Sequence, residues 1–254
     1  MENIIACENI VKTFGEGAEA FRALDGVSVE IRAGEFVAVM GPSGSGKSTL
    51  MYAFSGMDVP SDGNVYFSGK DLSGLKEETL ADIRRRKMGF VFQQPTMLRN
   101  LNILDNIILP ALRENRRQAA QITKKARDLM YKTGIPGLEK RDITQVSGGQ
   151  LQRAGICRAL MNNPTIIFGD EPTGALNSKA ADEIMDILSE INADGTAVML
   201  VTHDPKVAAR AGRVLFMQDG RIVSALRLEK FRKEDIDSRT QKISDRMREV
   251  EAVI

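Results

Sequence analysis

Several short stretches of the chain are apolar at every position: 36–40, 88–92 apart from one glycine, 166–168 and 197–201. Between them, apolar residues recur at three- and four-residue intervals, as in Ile184, Ile187, Leu188 and Ile191 within 178–192. Strands without a polar face belong in a parallel sheet covered on both sides, and amphipathic helices supply the cover. Residues 4–14, 27–31, 63–69, 213–217 and 221–225 read as further strands, the last two joined by the hairpin turn Gln218-Asp219-Gly220. Turns are expected at Gly15 to Ala18 and at Leu24-Asp25-Gly26. Helices are expected over 47–56, 77–86, 103–133, 147–161 and 178–192, with Gly134-Ile135-Pro136-Gly137 ending the long one.

In such sheets ligands sit beyond the carboxyl ends of the strands. The first fully apolar strand runs straight into Gly41-Pro42-Ser43-Gly44-Ser45-Gly46-Lys47-Ser48-Thr49, which then opens a helix. The spacing G-x-x-x-x-G-K-S in a strand–helix context is the phosphate-cradling P-loop. Glycines at 41, 44 and 46 let backbone N–H groups turn inward around phosphate oxygens, and the helix start adds positive potential. Lys47 is expected at the β and γ phosphates of ATP, and the Ser48 hydroxyl on Mg²⁺. Lys47, Gln93, Asp170, Glu171 and His203 all lie at or just past strand ends, so one rim of the sheet gathers five polar residues. A second small-residue helix start, Ser147-Gly148-Gly149-Gln150, has a place in this chemistry if it approaches the γ-phosphate from another chain.

Composition narrows the class. A chain of 254 residues holds one large domain or a domain with a subdomain, and 43% apolar with 27% charged residues is ordinary for a globular protein. A net charge of +1 gives no basic field for nucleic acid, and Arg84-Arg85-Arg86-Lys87 reads as a solvated helix end. No apolar run reaches the ~18–20 residues that cross a bilayer, and the N-terminal residues lack the pattern of a signal peptide. Cys7 and Cys157 have no metal spacing and are expected to be buried, reduced thiols. His203 is the single histidine, which leaves no His-rich metal site. Together these features indicate the cytosol.

The motifs taken in order resemble the nucleotide-binding subunits of ABC transporters, from about residue 4 to 225. The resemblance implies an α/β fold: a P-loop NTPase (RecA-like) core with a mostly parallel sheet, an N-terminal antiparallel β subdomain and a helical signature subdomain at about 95–162. It implies ATP and Mg²⁺ as ligands and ATP hydrolysis as the activity. Gly41 to Thr49 resembles the Walker A loop. Phe14 is similar to the aromatic that stacks on adenine. Gln93, rather than Gln94, resembles the Q-loop glutamine on Mg²⁺. Val146 to Gln150 resembles the L-S-G-G-Q signature, with Val for Leu. Asp170 resembles the Walker B carboxylate on Mg²⁺, Glu171 the general base, and His203 the switch histidine. Asn177 stands where the family usually has Asp, which removes a charge from the loop that signals across a dimer.

That resemblance further implies a head-to-tail homodimer, an integral membrane permease as partner, no nucleic acid, and a place on the inner face of the cell membrane. The segment Leu101 to Asn106 is expected to dock the permease. A DNA- or ribosome-acting ABC ATPase would need a coiled-coil insertion or a second cassette, and a nucleotide kinase would leave Ser147 to Gln150 and His203 without a role. The motifs Asp170 to Leu176 and Phe90 to Gln94 resemble one branch, which holds macrolide exporters, lipoprotein-release pumps, the cell-division pair and peptide-antibiotic resistance pumps. Asn177-Ser178-Lys179 leans toward the last of these. The ATPase domain is expected to span 1–228. Residues 229–254 follow as an amphipathic helical extension, with Ile243, Met247, Val250 and Ile254 on its apolar stripe. Its stripe has two readings, packing on its own domain or contacting a partner.

Overall fold

The structure, a computed structural model, describes residues 2–113 and 116–252. Two sheets organise it. β1 (Asn3–Phe14), β2 (Phe21–Arg32), β4 (Asp62–Phe67) and the two-residue β5 (Lys70–Asp71) form an antiparallel sheet in the order β2-β1-β4-β5. β3 (Phe36–Met40), β6 (Met88–Phe92), β7 (Ile166–Asp170), β8 (Ala197–Val201), β9 (Arg213–Gln218) and β10 (Arg221–Arg227) form the second, in the order β10-β9-β3-β8-β7-β6. All its pairings are parallel except the β9–β10 hairpin at the edge.

Eight helices complete the fold among the described residues: α1 (Lys47–Phe54), α2 (Glu77–Lys87), α3 (Ile103–Leu112), α4 (Ala119–Lys132), α5 (Gly148–Leu160), α6 (Ser178–Ala193), α7 (Pro205–Ala208) and α8 (Ile236–Glu251). One core lies between the two sheets, where Val37, Val39, Phe168, Met199 and Leu215 meet Ile5, Ile10, Leu24 and Phe54. A second covers the opposite face of the parallel sheet, where Ala38, Met40, Ile167, Leu200 and Phe216 meet Ile184, Leu188 and Val207. Strand residues alternate between these cores, which is why the central strands carry no polar face. A third core joins α3, α4 and α5 through Ile103, Ile107, Ala126, Met130 and Ala154.

Two expectations about local structure fail. Leu24-Asp25-Gly26 is not a turn but part of β2, because the Asp25 N–H donates to Gly220 O at 2.9 Å and the strand continues past a register shift. Nor is 103–133 one helix. It divides into α3 and α4, with a short 3₁₀ turn at Arg116–Gln118, so that both pack on α5. Both cysteines are buried as expected, and burial pushes the Cys7 thiol up to about 12 and Cys157 to about 11. Such thiols stay protonated and inert near neutral pH.

The C-terminal extension lies on its own domain. Ile243 is fully buried in the second core, and Met247 and Val250 pack at its edge; Ile254 falls outside the described residues. Arg239 fixes the helix. Its guanidinium donates to Ala209 O at 2.6 Å, Ala211 O at 2.7 Å and Glu229 O at 2.8 Å, and lies 5.5 Å from the Phe231 ring centroid. Removing a charged donor from carbonyls that stay buried costs about 2–4 kcal/mol here. Arg239→Ala, and truncation after Arg227, should therefore lower the thermal midpoint by roughly 5–15 °C, since 1 kcal/mol is worth ~2–4 °C at this size. Nucleotide affinity should be retained at 20 °C. Differential scanning fluorimetry with a nucleotide titration checks both, and an unchanged midpoint would place the stripe in an intermolecular contact.

Candidate functional site

The ends of β6, β7, β8 and β3 fall at or within one residue of a single row, which β9 crosses at Leu215 before running on to Gln218. Phe92 pairs with Asp170, Asp170 with Val201, Val201 with Val39, and Val39 with Leu215. The residues that follow these strands therefore emerge side by side, bringing together the P-loop, Gln93, Glu171 and the segment from Thr202.

The P-loop is wedged between two neighbours. A Cβ on Gly41 would lie 2.1 Å from Met217 O, and one on Gly46 would lie 2.4 Å from Ala23 O. Both glycines also have positive φ, at +154° and +98°, so no other residue fits. The Gly220 N–H donates to Ser45 O at 3.1 Å, so the β9–β10 turn holds the loop from one side. Ser43 and Gly44 are exposed at its tip, and Thr49 is half-buried in the first turn of α1. Ser45 is buried, and its Oγ has no hydrogen-bond partner among the described residues. The Lys47 ammonium folds back on its own loop, donating to Gly41 O at 2.8 Å and Pro42 O at 2.7 Å. Burial lowers the Lys47 pKa, while the neighbouring charges of Glu171 and Asp170 oppose that shift.

Across from it, Asp170 accepts from Ser48 Oγ at 3.1 Å through Oδ1 and from Tyr52 Oη at 3.4 Å through Oδ2. Burial pushes the Asp170 carboxyl above its ordinary range, and the Glu171 charge adds to this against the two donated bonds. Glu171 occupies the left-handed region at φ +48°, a conformation costing about 1–2 kcal/mol for a residue with a Cβ. Its N–H donates to Val201 O at 2.9 Å and its carbonyl accepts from Gly174 N at 3.0 Å, which over-determines the turn. Its carboxylate meets His203 Nδ1 at 2.7 Å and accepts from Thr202 Oγ1 at 3.4 Å. His203 is otherwise solvent-exposed, so it is not a satisfied core histidine.

The remaining candidates occupy more open positions. Phe14 is 46% exposed at the end of β1, with Lys12 Nζ 5.1 Å from its ring centroid. Gln93 is exposed and lies over Gly174, where an added Cβ would sit 2.9 Å from its Nε2. Ser147 caps α5 through a reciprocal box: Gln150 N–H donates to Ser147 Oγ at 3.3 Å, and Ser147 N–H donates to Gln150 Oε1 at 2.9 Å. Ser147 and Gly148 are exposed, and the nearest neighbours of a Cβ on Gly148 or Gly149 would be Leu176 and Ala180 rather than the P-loop. Asn177 caps α6 by accepting from Ala180 N at 2.9 Å, a role Asp fills equally, so the local turn is indifferent to the missing charge.

Sequence reasoning missed four polar residues. Gln152 is buried and its Nε2 bridges Phe92 O at 2.9 Å and Pro172 O at 2.8 Å, tying α5 to the strand ends. Thr202, Tyr52 and Arg239 are the others. Of these only Tyr52 carried a readable signal, its four-residue spacing from Ser48 on one helix face.

The residues present suit a nucleotide triphosphate with its metal. The orphaned Ser45 hydroxyl, the Cβ-free cradle and the displaceable Lys47 bonds fit phosphate oxygens. One carboxylate and one hydroxyl fit Mg²⁺, which takes few protein ligands when phosphate supplies the rest. Among the described residues no cluster of three or more His, Cys, Asp or Glu offers an all-protein metal cage.

Fold and site together define a P-loop nucleotide-binding domain with a second glycine-led helix start. The ABC transporter family profile matches residues 24–174, more than half the chain, and the chain belongs to that family. It is 40% identical over 221 residues to the macrolide export ATP-binding/permease protein MacB of Mannheimia succiniciproducens, covering 87% of this chain and 34% of that protein. Thus it spans about a third of the length of that relative. An uncharacterized ABC transporter ATP-binding protein, YknY of Bacillus subtilis, is 40% identical over 87% of this chain and 96% of its own length. Among solved structures, the dimeric bacterial ABC transporter cassette MJ0796 is 40% identical, with a TM-score of 0.76 over 89% of this chain and all of that one. A post-hydrolysis dimer of the same cassette, bound to ADP and Pi, gives 39% and 0.76.

Lys47→Ala should abolish ATP hydrolysis and leave the far-UV circular dichroism spectrum intact, because the lysine's present partners are two loop carbonyls and not the core. A folded variant with near-normal turnover would remove Lys47 from the site.

Proposed function

We propose that this chain is the ATP-binding and hydrolysing subunit of a transporter, two copies closing head to tail on ATP to drive a separate membrane subunit. The observation that carries the reading is the rim built by the strand row: Ser48 on Asp170, and His203 and Thr202 on Glu171, beside an open P-loop. The ATPase domain is assigned to 1–228, its helical subdomain to about 95–162, and the helical extension to 229–254.

Lys47 exchanges its loop carbonyls for phosphate oxygens. Ser48 and Asp170 would hold Mg²⁺, and Gln93, at the neighbouring strand end, would serve as a further ligand. Bound there, the metal supplies charge neutralisation at the phosphates. Glu171 takes a proton from the attacking water, and His203 orients that carboxylate through Nδ1. Phe14 offers an adenine its ring face. Within one chain Ser147 to Gln150 neighbour the start of α6, so this exposed helix N-terminus is left to face the P-loop of a second copy. The MJ0796 cassette's dimeric form supports that arrangement.

The macrolide export ATP-binding/permease relatives support a membrane partner and export of a drug; a peptide antibiotic as cargo and a place on the inner membrane face, held there by the permease, are the finer reading proposed here. No helix among the described residues is long and apolar enough to cross a membrane. Within the expected docking segment Leu101 to Asn106, Ile103 is buried in the helical core and the buried Asn106 side chain bonds Leu98, Leu101 and Asn102, while Leu101, Asn102, Leu104 and Asp105 stay half-buried. Beside it runs a groove of about 340 Å³ lined by Met57, Phe90, Pro110 and Arg158, between the parallel sheet and the helical subdomain. A cytoplasmic helix of the membrane subunit suits this groove, where motion of either subdomain would reach it.

Met57→Glu should leave basal ATPase of the isolated chain within about twofold, as a surface change away from the site. It should uncouple ATPase from transport in the reconstituted complex. Transport at the wild-type rate would move the docking surface elsewhere. Glu171→Gln keeps shape but removes the base, so hydrolysis should fall by about 10²–10⁴-fold. ATP trapped between two chains should then accumulate the dimer, because a ligand bound only by the associated state stabilises it. Adding Ser147→Arg should abolish that dimer by filling the approach to the γ-phosphate. Light scattering coupled to size exclusion, with and without ATP, on the chain and on the membrane complex, decides it; a persistently monomeric Glu171→Gln or a dimeric double variant would refute head-to-tail closure.

A further inference from the structure

Tyr52 stands one helical turn beyond Ser48, so the two hydroxyls share a face of α1. That face looks onto Asp170, and the two hydroxyls divide its carboxylate: Ser48 Oγ reaches Oδ1 at 3.1 Å and Tyr52 Oη reaches Oδ2 at 3.4 Å. The tyrosine ring packs against the core between the sheets, which fixes where the hydroxyl points. A phenylalanine would satisfy that packing equally, so the hydroxyl's contribution is the polar contact.

We propose that Tyr52 is a positioning residue for the metal site, holding Oδ2 of Asp170 so that Oδ1 and the Ser48 hydroxyl present a fixed pair to Mg²⁺. This inference rests on the reading of Ser48 and Asp170 as the metal pair. A carboxylate has two oxygens and a rotatable bond, and a metal that takes only one or two protein ligands depends on which oxygen faces it. A neutral donor behind the carboxylate restricts that rotation without adding a competing positive charge.

The test compares the full-length wild type with Tyr52→Phe, which retains the ring and the core contact. The dissociation constant of the non-hydrolysable analogue adenylyl-imidodiphosphate is measured calorimetrically in excess Mg²⁺ and again in EDTA. Loss of one hydrogen bond to a charged acceptor predicts a weakening of about threefold to tenfold in Mg²⁺. In EDTA the two proteins should bind alike, and their melting curves should nearly coincide. A purely structural tyrosine would instead move the melting curve, or weaken binding equally in both conditions, and either equal weakening or unchanged affinity in Mg²⁺ overturns the proposal. If the wild type binds nucleotide with a Mg²⁺ dependence that Tyr52→Phe shares, only the role of Tyr52 falls. If the wild type shows no Mg²⁺ dependence, the metal pair itself is misassigned and the proposal falls with it.

Discussion

The site depends on register. Four parallel strands end at or within one residue of a single row, from Phe92 through Asp170 and Val201 to Val39, and β9 pairs with that row at Leu215 before running on to Gln218. What holds that row is the double-sided burial of the strands. Val37, Val39, Phe168 and Met199 point into one core, while Ala38, Met40, Ile167 and Leu200 point into the other. A slip of one residue in any strand would exchange its two faces and also draw its polar end out of line. Packing specificity and site assembly are thus the same constraint, and Asp170 has Ser48 within reach because the cores admit no other alignment.

The polar groups at the rim are placed by backbone more than by side-chain choice. Glu171 is held left-handed by hydrogen bonds to Val201 and from Gly174, at a local cost that the turn's other bonds offset. This directs its carboxylate to Thr202 and His203, away from Asp170, whose own ionisation it would otherwise oppose more strongly. Gly41 and Gly46 work in the same sense, letting Met217 and Ala23 carbonyls approach where any Cβ would collide. Strain and close approach therefore gather at the ends of the parallel strands, whose pairings run in unbroken register, while the antiparallel sheet carries its own register shifts and the left-handed Asn9 within β1.

The same division explains what could be read in advance. Apolar runs located β3, β6, β7 and β8, and local motifs located the residues at their ends, because both depend on neighbours in sequence. Features created by distant partners were not legible. Asp25 and Gly26 look like a turn until Gly220 supplies the acceptor that keeps β2 going. Between the end of α3 at Leu112 and the start of α4 at Ala119 the chain reads six polar residues in a row, a signal masked by the helical spacing on either side, and both helices pack on α5. Ile103 has the sequence setting of an exposed docking loop but is drawn into the helical core. Gln152 and Arg239 satisfy carbonyls at the ends of other elements, some as many as 60 residues away, and nothing in their own surroundings announces this.

Arg239 has a consequence for how His203 is carried. The segment after β8 is anchored first by Thr202, whose N–H donates to Val39 O at 3.1 Å, and then by Asp204, which caps α7 through Lys206 N at 2.8 Å. Its far end is held by Arg239 on Ala209 and Ala211, and by Arg210, which ion-pairs with Asp186 of α6. Between these anchors the His203 ring projects into solvent, as do Asp204 and Lys206, with the Glu171 carboxylate as its partner. A rigid segment with one exposed ring can respond to a ligand by side-chain rotation, without the entropic cost of ordering a loop. The extension thus stabilises the strut that carries the histidine while leaving the ring free to turn, which separates the tail's contribution to stability from the chemistry at the rim.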